Sequence, residues 1–88
     1  MFLAAGQAEH ARAEHAAALA LADKIGDTYQ QAHAHDGLGR AYRAADRCAE
    51  ARCHWQQALT LYTDLGAPEA SQIRVQLTMA GDHGLRER

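Results

Sequence analysis

The sequence predicts an all-α fold: antiparallel helical hairpins stacked as a short α-solenoid of about four helices. Three observations carry that expectation. Apolar residues recur at helical spacing, and no stretch alternates with the period of two that strands require. The chain repeats itself at a 40-residue period. Glycines fall at matching places in the two copies, where helices would end.

The repeat is visible on direct alignment. "HAAALALADKIG" (His15 to Gly26) lies over "WQQALTLYTDLG" (Trp55 to Gly66), and "FLAAGQ" from Phe2 lies over "YRAADR" from Tyr42. Residues 1–26 share eight identities with their copy: Ala4, Ala5, Ala11, Arg12, Ala18, Leu19, Leu21 and Gly26. Residues 27–48 share none with residues 67–88. A period between about 20 and 50 residues is the mark of a solenoid, and the abrupt loss of matching marks the last segment as a terminal element.

Each helix follows from its punctuation. The first is expected over 8–24, closed by Gly26, with residues 1–5 as the stub of a preceding helix and Gly6 as the turn between them. The second is expected over 28–44, opened by Asp27 with Gln30 three residues on, a capping-box pattern. A second kind of turn, around Ala45 to Arg47, leads to a third helix over 48–64, closed by Gly66. Pro68 and Glu69 suit the first turn of a fourth helix over 68–80. The domain is thus residues 1–80, and "GDHGLRER" (81–88) is expected as a frayed tail. At 100° per residue, Cys48, Ala51, Trp55, Ala58, Leu59, Tyr62 and Leu65 form one apolar stripe about 120° wide. Ala34, Leu38, Ala41, Tyr42 and Ala45 form another on the second helix.

Composition narrows the function. Among 88 residues, 48% are apolar and the net charge is -2, without the clustered Lys and Arg that nucleic acid requires. The longest apolar run, "AAALALA" from Ala16, is seven residues, against about 20 for a membrane span. "MFLAAGQAEH" lacks the basic and apolar regions of a signal peptide. Cys48 and Cys53 diverge by about 140° on a helix, so the expectation is two reduced thiols in a cytoplasmic protein.

The stretch His35 to Ala58 resembles a tetratricopeptide repeat, W-x2-L-G-x2-Y followed by A-x3-F. Here it reads His35, Leu38, Gly39, Tyr42, then Ala51, Trp55 and Ala58. His35 stands where the family often has Trp, the late proline is missing, and the period is 40 rather than 34. Alanine richness and the "ALALADKIGD" and "ALTLYTDLGAPEA" phrasing are similar to the C-terminal repeat arrays of actinobacterial regulators. These are the Streptomyces antibiotic regulatory proteins and related NB-ARC signalling ATPases. No G-x4-G-K-[ST] loop and no basic recognition helix accompany the repeats here, so the chain is expected to be a piece of such an array or derived from one. The resemblance implies that Gly39 lies where paired helices approach, near Ala51 and Trp55. For Gly37, contact with the neighbouring repeat is the expectation.

In that family, one side of the first helix of each pair lines a concave groove. Tyr29, His33, Asp36, Arg40 and Arg43 fall within about 80° of one another, opposite the apolar stripe, and form the candidate partner-binding patch. The alternative is a solvated face with an Asp36–Arg40 pair worth about 0.3–0.5 kcal/mol. The Lys and Asn pair that clamps a peptide carboxylate in some members is replaced by Asp36 and Arg40.

No metal or cofactor is expected. His10 and His15 are five apart and His33 and His35 two apart, so neither pair has the i, i+4 spacing of a helical site. His15, aligned with Trp55, reads as a packing residue. No nucleophile has a base and an orienter in its neighbourhood: Ser71 lacks a preorganised turn, nothing evident activates Cys53, and "EHARAEH" lacks Glu-x-x-His spacing. The sequence therefore predicts an interaction module, not an enzyme. Its expected partners are a protein or peptide, including other domains of a larger regulator, and neither nucleic acid nor membrane. The rival reading is a structural segment that forms a homo-oligomer through its open ends, since the first helix is expected to expose Leu19, Leu21 and Ile25.

Overall fold

The structure is a computed structural model. It describes residues 5–85, with side chains described for residues 6–79. Four helices follow in order: α1 Ala5–Ile25, α2 Thr28–Ala44, α3 Cys48–Leu65 and α4 Glu69–Leu85. No strand occurs among the described residues. The helices zigzag, each antiparallel to the next. α2 is packed between α1 and α3, and α4 packs on α3, in a slab of 42 × 32 × 17 Å.

All three reversals use one backbone device. Gly26 and Gly66 have φ of 72° and 68°, the left-handed conformation that glycine adopts without a Cβ clash. At Gly26, Asp27 N–H donates to the Ala22 carbonyl at 3.0 Å and Gly26 N–H to that of Asp23 at 3.3 Å, a Schellman closure. At Gly66, Ala67 N–H reaches Tyr62 at 2.9 Å and Gly66 N–H reaches Thr63 at 3.0 Å. The turn at 45–47, expected to be of a second kind, is the same. Arg47 N–H donates to Tyr42 at 2.8 Å and Asp46 N–H to Arg43 at 2.9 Å, with Asp46 itself at φ 65°. Asp tolerates this conformation better than most residues, but still carries a Cβ there. Asp46→Gly should therefore raise stability by about 0.5–1 kcal/mol in urea titration, less the extra entropy of a glycine in the unfolded chain. α2 starts as expected, with the Asp27 carboxylate accepting from Gln30 N–H at 3.1 Å.

Two expected boundaries differ. α1 begins at Ala5 and runs through Gly6, which makes no turn. Ala, Gln and Glu around it favour helix, and a single glycine lowers that preference without reversing it. α4 continues to Leu85, so residues 81–85 are helix and not tail. Gly81 and Gly84 lower helix propensity there but do not by themselves reverse a chain. Residues 1–4 of the expected stub (1–5) and residues 86–88 of the expected tail (81–88) lie outside the described residues.

The core is a cluster of small residues around three large ones. Ala32, Ala51, Ala58 and Ala70 surround Trp55, Tyr62 and Ile73, and all seven are buried. Alanine at these positions lets the helix axes approach closely while the indole and phenol rings fill the remaining space. On α3 the middle of the expected stripe is buried and Leu59 is half-buried, but Cys48 and Leu65 are exposed. They are the first and last residues of the helix, beyond the reach of its neighbours. On α2 burial is wider than the stripe, adding Ala32, His35, Gly37 and Gly39, because the helix is flanked twice. Ala45 is exposed, being the cap that follows α2 and not part of its packed face. On α1, Leu21 and Ile25 are exposed as expected, whereas Leu19 is half-buried. Among the described residues no helix is long and apolar enough to cross a membrane.

Candidate interaction surfaces

The two glycines of α2 answer to two different neighbours. Positions 37 and 39 are about 200° apart on a helix, so they open opposite flanks. A Cβ on Gly39 would lie 2.5 Å from Trp55 Nε1 and 2.7 Å from Cδ1. A Cβ on Gly37 would overlap the His15 imidazole of α1, standing 2.6 Å from its Cγ. Gly39 thus seats the indole of α3, and Gly37 seats the ring that occupies the same place in the earlier repeat copy. Gly37, expected to contact the neighbouring repeat, meets His15 of α1 there.

Across the α2–α3 hairpin, two successive rungs tie the helices. Trp55 Nε1–H donates to Asp36 Oδ1 at 3.1 Å. One residue earlier on each helix, His54 Nδ1 and His35 Nδ1 are 3.0 Å apart. The imidazole centres are separated by 5.2 Å with planes 29° apart, so the rings meet edge to edge through these nitrogens. Lone pairs facing each other along that line do not converge on a third point, so the contact is a hydrogen bond and not a chelate. On its other side His54 lies parallel to Tyr42, at 7° and 5.4 Å between centres, and the Arg47 guanidinium stands 5.3 Å over the Tyr42 ring. Burial holds both imidazoles below the ordinary histidine range; for His35 the neighbouring His54 adds to this and Asp23 opposes it.

The His35–His54 contact was not legible in the sequence. His35 stands at the Trp position of the repeat pattern, and no spacing in the sequence singles out His54. The usable signal was distance from the turn. His35 is ten residues before Ala45 and His54 nine after it; Asp36 is nine before and Trp55 ten after. Residues within one position of equidistant from a tight helical reversal stand nearly level.

The five residues expected on the groove face do not share one role. Tyr29 packs edge-on against Tyr62, with 5.6 Å between ring centres. Its hydroxyl donates to the Glu69 carboxylate of α4, which raises the Tyr29 pKa and lowers that of Glu69. Burial pushes Tyr62 up to about 12. Asp36 is half-buried and turned toward α3, accepting from Trp55 and, at 3.3 Å, from Arg40 Nε. His33, Arg40 and Arg43 remain exposed. Among the described residues Arg43 takes part in none of the ion pairs.

On the opposite side of α2 the slab carries an open cleft of about 810 Å³ between α1 and α3, lined by Leu19, Asp23, Gln31, His35, Gln57 and Leu61 among others. A smaller cleft of about 290 Å³ shares Leu19 and Asp23 with it and reaches Tyr42 and His54. Both cysteines are free and exposed, and Cys53 lines the larger cleft. Among the described residues no group of three or more His, Cys, Asp or Glu is placed to hold a metal ion.

Comparison with known proteins gives one similarity of consequence. Regulatory protein AfsR of Streptomyces griseus is 37% identical over 57 residues, which is 65% of this chain and 6% of that protein. The chain therefore spans a small fraction of the curated relative it matches. No protein-family model matches, and no solved structure does. The chain is similar to a short segment of a bacterial regulatory protein, and its described residues form four antiparallel helices.

Proposed function

We propose that the chain is a tetratricopeptide-like interaction segment of a transcriptional regulator, and that it binds an acidic protein segment through the outward face of α2. One observation carries this reading. α2 is gripped on both flanks, by His15 and by Trp55, yet keeps His33, Arg40 and Arg43 exposed. Asp36 is drawn inward by the indole while still accepting from Arg40 Nε at 3.3 Å, and Glu69 borders the Tyr29 end of the face, so the cationic end of the row is the one carrying Arg40 and Arg43. Guanidinium groups on a rigid helix suit carboxylates. The similarity to a regulatory protein supports the parentage, and partners from the parent's own domains fit it. No catalytic step is part of this reading, and the location it implies is the cytoplasm.

Exposed ion pairs contribute about 0.2–1 kcal/mol each. Reversing both charges, Arg40→Glu with Arg43→Glu, should therefore weaken binding of an acidic peptide roughly tenfold. Fluorescence anisotropy of a labelled peptide with three glutamates among leucines measures this. The binding should also fade with salt, and the sedimentation behaviour of the protein should not change. Equal binding by the double variant overturns the reading.

A second reading rests on a separate observation. Leu21 and Ile25 on α1 are 59% and 64% exposed, and Val75 and Met79 on α4 are 57% and 54% exposed. These apolar ends favour self-association. That reading predicts a concentration-dependent oligomer abolished by Leu21→Glu, with Arg40 and Arg43 irrelevant.

A further inference from the structure

We propose that His35 and His54 form a one-proton latch between α2 and α3, closed while the pair carries at most one extra proton and released by the second. The proton count follows from the geometry. With Nδ1 atoms 3.0 Å apart, one ring donates Nδ1–H and the other accepts at a bare Nδ1. A first added proton goes to the free Nε2 of the donor ring, and the bridge survives. The only basic nitrogen then left is the accepting Nδ1. A second proton placed there sets N–H against N–H between two imidazolium ions, and the contact becomes repulsive.

The surroundings oppose charge on the pair. Tyr42 covers His54 on one side. From α1, Asp23 and Arg12 line the clefts beside the rings; from α3, Cys53 lines the cleft beside His35, and from the turn before it Arg47 stands over Tyr42. Asp23 is the one group whose field favours charged His35, and burial outweighs it. The Trp55–Asp36 rung lies directly beside the pair on both helices, so release strikes the hairpin next to its buried indole.

The sign of the pH effect is fixed. Both imidazoles are held below their ordinary value when folded, whereas in the unfolded chain they take up protons near pH 6.5. Between those limits the unfolded state binds more protons, so stability rises with pH. The latch contributes fully above about pH 6.5, and its contribution is lost as pH falls below that value.

Two measurements test the latch. Urea unfolding at pH 7.5 and pH 5.5 should show a lower midpoint at pH 5.5, and in His54→Gln that acid loss should shrink by at least half, because the amide can bridge to His35 and takes no proton. Nitrogen-15 spectra of the wild-type imidazoles should show one protonated Nδ1 in the pair at pH 7.5. They should also show two coupled steps below the ordinary histidine range. An undiminished acid loss in His54→Gln overturns the latch. So do two rings that titrate independently at the ordinary value with both Nδ1 atoms bare. Should the variant fail to fold, the spectra of the wild-type protein decide alone.

Discussion

Trp55→Ala is expected to lose about 3–5 kcal/mol, the range for truncating a large buried aromatic. A chain of this size has roughly 4–13 kcal/mol of total stability, so the variant should lose at least about a quarter of it. The size of the effect follows from three roles held by one side chain. The indole is fully buried among Ala32, Ala51 and Ala58, and alanines cannot swing in to fill the cavity. Its face lies against Gly39, where α2 has no side chain to collapse into the space. Its Nε1–H satisfies the half-buried Asp36 carboxylate, which would lose a charge-assisted bond. Trp55→Phe separates these roles. It keeps most of the apolar volume but not the hydrogen bond, and should cost about 1–3 kcal/mol. Circular dichroism through a urea titration reads both variants. A Trp55→Ala protein within about 1 kcal/mol of wild type would mean that the indole is not the keystone of this core.

The architecture was legible because local and long-range signals agreed. The repeat set the number of helices, and the glycines at 26 and 66 set two of the three reversals, since a left-handed backbone leaves a clear residue preference. The third reversal was found but misread, because Asp46 carries the same conformation without the glycine that advertises it. Gly6 and the glycines after residue 80 had the residue without the turn. A glycine permits a reversal; the packing of the following helix makes it. The candidate site was less legible. A helical wheel places Asp36 among outward residues, yet the carboxylate bends toward Trp55, a side chain reach that angular position alone does not encode. The His35–His54 bridge depends on the relative height of two helices, which neither stripe specifies. The exposed pair Arg40 and Arg43 was readable because solvent-facing residues depend on their own helix only.

Gly39→Ala should destabilise the protein by about 2 kcal/mol, although alanine is the better helix former. In an open helix the change would gain about 1 kcal/mol. Here the new methyl would stand 2.5–2.7 Å from three atoms of the indole, far inside contact distance. Trp55 has no room to retreat, being fully buried and tethered to Asp36. The helices must part instead, and overpacking of this kind costs about 1–3 kcal/mol or more. Gly37→Ala is the control on the same helix. Its methyl meets His15, a half-buried ring on α1 that can turn toward solvent, so the loss should be less than about 1 kcal/mol. In a His15→Ala background the same Gly37→Ala change should become stabilising by up to about 1 kcal/mol, as helix propensity is released from the steric clash. No comparable rescue exists for Gly39, because removing its neighbour removes the core. Urea midpoints for the four variants, the His15→Ala background included, decide the matter. If Gly39→Ala matches or exceeds wild type, the close approach of α2 to the indole is not what this glycine is for.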